Sequence, residues 1–154
     1  MLEVREIYKT FNAGTVNEKR AINGVSLTLA DGDFVTVIGG NGAGKSTLLN
    51  LVAGVYGVDG GSILIDGNDV TRLPEYRRAQ YIGRVFQDPM MGTAASMQIE
   101  ENLALAARRG QTRTLRAGIT KAEREQYREL LKILDLGLED RLTSKVGLLS
   151  GGQR

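Results

Sequence analysis

The stretch FVTVIGGNGAGKSTLLNLVAGV, residues 34–55, restricts the fold of this chain more than any other part of the sequence. An apolar run typical of a buried strand leads into a glycine-rich turn, and a run with helical periodicity follows at once. The turn matches the pattern G-x-x-x-x-G-K-[ST] at Gly39, Gly44, Lys45 and Ser46. Strand, turn and helix in this order predict a loop that binds phosphate at the helix N-terminus.

The residues of this phosphate loop (residues 39–47) suit a nucleotide and its magnesium ion. Glycines allow backbone N–H groups to wrap an anion without interference from a Cβ atom. Lys45 is expected to reach the β- and γ-phosphates, and the Ser46 hydroxyl to ligate Mg²⁺. Thr47 either adds a hydroxyl near the α-phosphate or is an ordinary helix residue. The remaining nucleotide-binding positions are predicted to be Gly39, Asn41, Gly42, Ala43 and Gly44.

Composition excludes several other kinds of chemistry. The chain has 154 residues, of which 42% are hydrophobic and 25% charged, as expected for a globular domain. It has no cysteine and no histidine, which rules out disulfides, thiolate metal sites and imidazole catalysis. The formal net charge of +2 does not indicate a nucleic-acid surface. The N-terminus lacks a signal-peptide core, and no apolar run approaches the ~20 residues that span a bilayer, so we expect a cytoplasmic protein.

Strand patterns dominate the first half of the chain. EVREIY, GVSLTLA and DFVTVIG each have the composition of a strand, and GVSLTLA places Val25, Leu27 and Leu29 on one face. GSILIDGNDV predicts a hairpin with Asp66-Gly67 in the tight turn. Much of the first seventy residues is therefore predicted to form antiparallel sheet around the phosphate loop.

The second half of the chain changes to helical patterns. SMQIEENLALAARRG has helix-forming composition, and TKAEREQYRELLKILDLG opens with Thr120 and Glu123 at the spacing of a capping box. An apolar stripe is predicted at Tyr127, Leu130, Leu131 and Leu134. These patterns predict a helical subdomain after the sheet.

Three motifs in order give the chain a resemblance to the ATP-binding cassette (ABC) family. GGNGAGKST corresponds to the family's phosphate loop, RVFQDP with Gln87 to its Q-loop, and LSGGQR to its signature motif. The resemblance implies an α/β P-loop NTPase fold of ABC type with an N-terminal antiparallel β subdomain and an α-helical subdomain. It also implies a nucleotide-binding core at residues 1–87 and a helical subdomain at residues 88–154.

The resemblance also assigns roles outside the phosphate loop. The signature motif marks a helix N-terminus that faces the γ-phosphate of ATP held by the opposite subunit, which implies nucleotide contacts from Ser150, Gly151, Gly152 and Gln153. Gln87 is implied to help hold Mg²⁺ and the attacking water. The aromatic that stacks on adenine is implied to be Phe11, with Tyr8 as the alternative and core packing as a plain role for either.

The function implied by the resemblance is that of an ATPase subunit of a membrane transporter. Two such subunits hold two ATP molecules between them and drive transmembrane permease subunits from the cytoplasmic face of the membrane, with a solute-binding protein as a further partner and no nucleic acid. The sequence looks most like motors of bacterial uptake systems for aromatic amino acids. The transported solute belongs to the partners, so the motor sequence by itself predicts it weakly.

Two alternatives and one departure accompany this interpretation. In the family, the magnesium-binding aspartate, the catalytic glutamate and the switch histidine lie beyond the signature motif, and these 154 residues do not include them. We therefore expect these residues to bind ATP without hydrolysing it and to form an incomplete sheet. That departure leaves open a non-hydrolysing nucleotide-binding or regulatory module. A chromosome-maintenance or DNA-repair ATPase is disfavoured, because no coiled-coil heptads separate Gln87 from Leu149.

A basic stretch, ARRGQTRTLRAG, precedes the last predicted helix. Its arginines are Arg108, Arg109, Arg113 and Arg116. They indicate either contact with a partner or membrane surface or a solvated loop, and the second interpretation is favoured.

Overall fold

The computed structural model of the protein describes residues 1–111 and 118–153. Arg113 and Arg116 of the basic stretch, and Arg154 after the signature motif, lie outside the described residues. The chain divides into two compact units, Met1–Gly83 and Arg84–Arg154. The assignment of nucleotide core and helical subdomain to residues 1–87 and 88–154 stays a prediction.

The first unit is built on a four-stranded antiparallel sheet of order β2-β1-β3-β4. Its strands are β1 (Leu2–Phe11), β2 (Lys19–Leu29), β3 (Gly60–Ile65) and β4 (Asn68–Asp69). Asp66 and Gly67 join β3 to β4 with φ angles of 49° and 76°. Positive φ at both central residues is typical of a tight hairpin turn, so the predicted Asp-Gly hairpin is confirmed.

One face of this sheet and one helix form the core of the first unit. The helix is α1 (Lys45–Ala53), and its Leu51 is fully buried in the cluster that the sheet residues form. The buried sheet residues are Val4, Ile7, Ile22, Ile63 and Ile65. Val25 and Leu27 of β2 pack against the same cluster, which agrees with the predicted alternation along GVSLTLA.

The predicted strand before the phosphate loop is not a strand in the described structure. Residues 33–40 join no ladder, and the side chains of Phe34 and Ile38 are 95% and 88% exposed. A strand needs a neighbour for its backbone hydrogen bonds, and no described segment lies beside this one. The expectation of an incomplete sheet is confirmed, while the strand assignment for DFVTVIG is wrong for these residues.

The second unit is helical, with α3 (Ile99–Ala107) and α4 (Lys121–Lys132) as its main elements. The predicted capping box is present, because the Glu123 N–H donates to the Thr120 hydroxyl and the Thr120 N–H donates to the Glu123 carboxylate. The bond from the Thr120 N–H, followed by bonds from Arg108 and the Thr120 hydroxyl, lowers the pKa of Glu123 to about 2. Shorter helices are α2 (Glu75–Arg78) in the first unit and 3₁₀ turns at Pro89–Gly92 and Val146–Leu148 in the second.

The predicted apolar stripe of α4 is only half right. Tyr127 and Leu131 are buried, but Leu130 and Leu134 are 52% and 54% exposed. The face of α4 that packs in the core follows one i, i+4 row, and Leu130 falls beside it. Leu134 lies past the end of α4, where Asp135 turns with a φ of 52°. None of the helices formed by residues 1–111 and 118–153 is long and apolar enough to cross a bilayer.

Candidate nucleotide-binding site

The phosphate loop turns into α1 at a glycine that no other residue can replace without strain. Gly44 is the N-cap of α1 and has a φ of 89°, in the left-handed region. A Cβ atom on Gly44 would lie 2.7 Å from the carbonyl oxygen of Ala21 in β2. Gly42 also has a positive φ, of 81°. The loop therefore passes close to β2, with its backbone in conformations that suit glycine.

Lys45 lies along the loop, with its ammonium group at the start of it. Its Nζ donates to the carbonyl oxygens of Gly39 at 2.6 Å and Gly40 at 2.8 Å. Ser46 is exposed and Thr47 half-buried in the first turn of α1. The first N–H groups of a helix have no acceptor within the helix, so this turn presents donors, hydroxyls and an ammonium group together.

A pocket of about 320 Å³ combines this loop with the two N-terminal strands. Its lining residues are Phe11, Lys19, Ala21 and Asn41, Gly42, Ala43, Gly44, Lys45, Ser46 and Thr47. The structure thus brings Phe11 to the phosphate loop. Gly39, the first residue of the motif, is not among these lining residues, and its carbonyl oxygen accepts a hydrogen bond from Lys45.

The two aromatic candidates for adenine stacking occupy different places. Phe11 lines the pocket, and its ring meets the ring of Tyr56 edge-on with centroids 5.3 Å apart. The Lys9 ammonium lies 5.7 Å from the Phe11 centroid. The Tyr8 ring instead lies over Gly60 and Gly24, where an added Cβ would be 3.3 Å and 3.0 Å from its atoms. This geometry favours Phe11, whose role in binding stays a prediction.

Sequence reasoning missed Lys19 and Ala21 as lining residues. Lys19 is the Cα partner of Phe11 in the ladder between β1 and β2, so both reach the same end of the pocket. Ala21 supplies the carbonyl group that passes beside Gly44. The signal available in the sequence was the pairing of β1 with β2, because a residue paired with Phe11 across the ladder lies next to it.

The residues present fit a nucleoside triphosphate with magnesium. Glycine at position 44 lets the loop lie against β2, and the free N–H groups at the start of α1 suit an anion. Lys45 supplies a cation and Ser46 a hydroxyl oxygen of the kind that Mg²⁺ takes as a ligand. Phe11 supplies an apolar face at the other end of the pocket.

In the second unit, the signature motif forms a hydrogen-bonded turn. The Ser150 N–H donates to the Gln153 side-chain oxygen at 3.2 Å, and the Gln153 N–H donates to the Ser150 carbonyl at 3.1 Å. Leu149, immediately before, is buried in the core of this unit. Gly151 and Gly152 are exposed, a Cβ on either would meet no atom within 4 Å, and neither has a positive φ. Nothing in the described residues therefore requires glycine at these two positions.

The chain that follows Gln87 is tied to the chain that leads into the signature motif. Gln87 itself is exposed, and two main-chain bonds join the segments after it, from Gly147 N–H to Ala95 O at 2.8 Å and from Val146 N–H to Met97 O at 3.0 Å. A Cβ on Gly147 would lie 2.9 Å from the Ala95 oxygen. Residues 95–97, which follow Gln87 in sequence, are thus bonded to the residues that lead into the signature motif.

Known proteins with similar sequences are ATP-binding subunits of uptake systems. The chain is 39% identical over its full length to the tyrosine transport ATP-binding protein of Clostridioides difficile, of which it covers 61%. It is 37% identical to the methionine import ATP-binding protein MetN of Brucella abortus, of which it covers 38%. The chain thus spans about three-fifths or less of the length of these relatives.

Solved structures with the same fold are ATP-binding cassettes. One is the cassette MJ0796, solved as a dimer in a post-hydrolysis state bound to ADP and Pi, with a TM-score of 0.77 and 29% identity. The match covers 99% of this chain and 65% of that one. Another is the ADP conformation of the cassette MJ1267, with a TM-score of 0.74, 30% identity and coverage of 99% and 60%.

The family comparison confirms the resemblance drawn from the three motifs. The model of the ABC transporter family matches residues 22–154, which include the phosphate loop, Gln87 and the signature motif. Because that match takes in most of the chain and the solved cassettes share its fold, the chain belongs to the ABC transporter family.

Proposed function

We propose that this chain is the nucleotide-binding part of the subunit that powers an ABC transporter, and that it binds Mg-ATP in the pocket of the first unit. The observation that carries the proposal is the pocket itself, where Phe11 and residues 41–47 line one cavity. An aromatic face at one end and a cationic, donor-rich loop at the other match the two ends of a nucleotide. The relatives' names support the choice of ATP.

Each group in the phosphate loop has its own role in binding the nucleotide. The N–H groups at the start of α1 and the helix dipole attract the phosphates, and Lys45 gives up its bonds to Gly39 and Gly40 to place its charge on the β- and γ-phosphates. Ser46 holds Mg²⁺, which when bound neutralises charge on the phosphate oxygens. Phe11 stacks on the adenine with its ring held edge-on by Tyr56.

A second copy of the subunit completes each site. Gly151 and Gly152 are glycines that the described chain does not need for space or for backbone conformation. A partner that must approach the backbone closely explains both, and a phosphate held by the opposite subunit is such a partner. The dimeric cassette with ADP and Pi supports a homodimer. Gln87 then transmits the state of the nucleotide to the helical subdomain. The chain after Gln87 is bonded to the residues that lead into the signature motif.

The partners and location follow from the transport role. We place the subunit at the cytoplasmic face of the membrane, held there by transmembrane permease subunits and served by a solute-binding protein. The transported solute that the relatives favour is an aromatic amino acid, as in the tyrosine system of Clostridioides difficile. A DNA-maintenance role has less support, because the relatives described above are named for transport or import.

The test of nucleotide binding is calorimetry of Mg-ATP with the full-length protein and its Lys45→Ala variant. Loss of a charge-assisted contact is worth ~1.5 to 3 kcal/mol, so we expect a tenfold or larger weakening. Lys132→Ala is the matched control, because Lys132 pairs with exposed Glu129 on α4 of the other unit. Equal affinity of wild type and Lys45→Ala would contradict the proposed site.

The test of transport uses the subunit reconstituted with the permease and solute-binding protein of its own transport system. We expect ATP hydrolysis to rise when tyrosine or phenylalanine is supplied to the solute-binding protein. Stimulation by a different solute class would refute the aromatic specificity and leave the motor role intact.

A further inference from the structure

Lys19 occupies a place in the pocket that none of the family motifs covers. It is the first residue of β2 and the ladder partner of Phe11. Its side chain lines the pocket, and its Nζ would lie 3.9 Å from a Cβ built on Gly42, in the middle of the phosphate loop. The ammonium group therefore sits between the aromatic end of the pocket and the loop.

The charge of Lys19 has no counter-charge among the residues that the structure describes. Within residues 1–111 and 118–153, no carboxylate oxygen lies within 4.0 Å of the Lys19 Nζ, the distance that defines an ion pair. The other two lysines nearby are engaged, since Lys9 donates to Asp59 at 2.8 Å and Lys45 donates to the carbonyls of its own loop. Lys19 is thus the pocket's cation that is free to bind an anion brought by a ligand.

We propose that Lys19 is a second cationic ligand of the nucleotide's phosphate chain and approaches it from the β2 side, opposite to Lys45. This inference rests on the proposed nucleotide site. A lysine ammonium is a compact charge on a flexible stem, which suits an exposed site that receives a chain of phosphates. Contact with phosphate rather than with the sugar follows from the position of Nζ beside Gly42.

The position also predicts which nucleotides depend on Lys19. A cation beside the loop favours ligands with more phosphate charge, and its contribution falls as salt screens it. Affinity for Mg-ATP should depend on Lys19 more than affinity for ADP. Adenosine, which reaches only the Phe11 end of the pocket, should not depend on it.

The experiment is calorimetry of Mg-ATP, ADP and adenosine with full-length wild type, Lys19→Ala and Lys19→Arg. For Lys19→Ala we expect Mg-ATP to bind about three- to tenfold more weakly at low salt, with a smaller loss for ADP and none for adenosine. Lys19→Arg should restore most of the affinity. Arg20→Ala is the matched control, because Arg20 is the next residue, is exposed, pairs with Thr10 and does not line the pocket.

Three results would overturn the inference. The first is an unchanged Mg-ATP affinity in Lys19→Ala, and the second is a loss no larger than that in Arg20→Ala. The third is an equal loss of affinity for adenosine. Each would contradict a contact between Lys19 and phosphate. Lys45→Ala separates this failure from failure of the site. If Lys45→Ala loses binding while Lys19→Ala does not, the site stands and only the role of Lys19 falls, whereas equal binding by wild type and Lys45→Ala would remove both.

Discussion

Arg78 holds the C-terminal end of the phosphate-loop helix by donating from Nη1 to the carbonyl oxygen of Leu51 at 2.7 Å. The same nitrogen donates to Val52, and the rest of the guanidinium donates to the carbonyls of Leu73 and Thr71. Arg78 is 1% exposed, and burial lowers the pKa of its guanidinium. One buried cation thus donates to carbonyls at the end of α1, where the Gly54 N–H also donates to Leu51.

Arg78→Met should lower the free energy of unfolding by about 2–4 kcal/mol, because it leaves buried carbonyls without donors. Denaturant unfolding of the protein measures the loss. Arg77→Ala is the control, since Arg77 lies next in sequence but is exposed and stacks over Tyr76. Equal stability of the two variants would show that the carbonyls find other donors.

Gly44→Ala should weaken Mg-ATP binding by at least an order of magnitude, whereas Gly40→Ala should change it by less than about threefold. At Gly44 the new Cβ would meet the Ala21 oxygen at 2.7 Å in a left-handed backbone, while at Gly40 it meets nothing within 4 Å. Calorimetry on both variants measures the difference. Similar affinities for the two would mean that the loop relaxes freely around Gly44.

Gly151→Leu should leave folding and Mg-ATP binding by the single subunit unchanged but reduce hydrolysis by about 10²-fold or more in the assembled protein. The side chain has open space in the subunit, so its cost arises only when a partner approaches. Phosphate release and unfolding are the two measurements. Gly147→Leu is the contrast, because its Cβ would lie 2.9 Å from the Ala95 oxygen and should destabilise the helical unit directly. Normal hydrolysis by Gly151→Leu would refute the role in the opposite site.

Gln87→Ala should slow partner-stimulated ATP hydrolysis by about tenfold while changing Mg-ATP affinity by less than about threefold. The side chain is exposed at the head of the segment that is tied to the signature motif, which suits transmission better than binding. Gln111→Ala is the control, since that exposed side chain donates to the Ala107 carbonyl at the end of α3. A loss of affinity as large as the loss of turnover would make Gln87 a simple nucleotide ligand.

Acid should destabilise the helical unit through Glu100. Hydrogen bonds from Arg124 at 2.5 and 2.8 Å lower the pKa of this buried carboxyl below its ordinary value of 4.5, against the opposing effect of burial. Because the folded pKa is the lower one, the stabilisation is present above about 4.5 and is lost as the pH falls through the folded pKa.

Unfolding free energies measured from about pH 6 to about pH 3 test this linkage. Glu100→Gln should flatten the decline, whereas Glu125→Gln, which alters an exposed pair with Arg128, should not. A decline of the same slope in Glu100→Gln and wild type would assign the acid sensitivity to other groups.

Features set by neighbours in sequence were predictable from the sequence alone. The Asp66-Gly67 turn, the Thr120–Glu123 capping box and the phosphate loop ahead of α1 all depend on residues within a few positions of one another. Glycine at a positive φ and a polar side chain at a helix start impose their geometry locally. The family followed from the same kind of evidence, because each of its motifs is a short local stretch.

Features set by pairing across the chain needed the tertiary structure. The ladder between β1 and β2 shifts register between Ile7 and Tyr8 and again between Lys9 and Thr10. A one-residue shift reverses the faces of a strand, so period-two counting could not decide between Tyr8 and Phe11. The same pairing brought Lys19 to the pocket, and a long-range contact placed Arg78 under α1. The local order of residues identifies the phosphate loop, whereas long-range backbone pairing sets which side chains surround it.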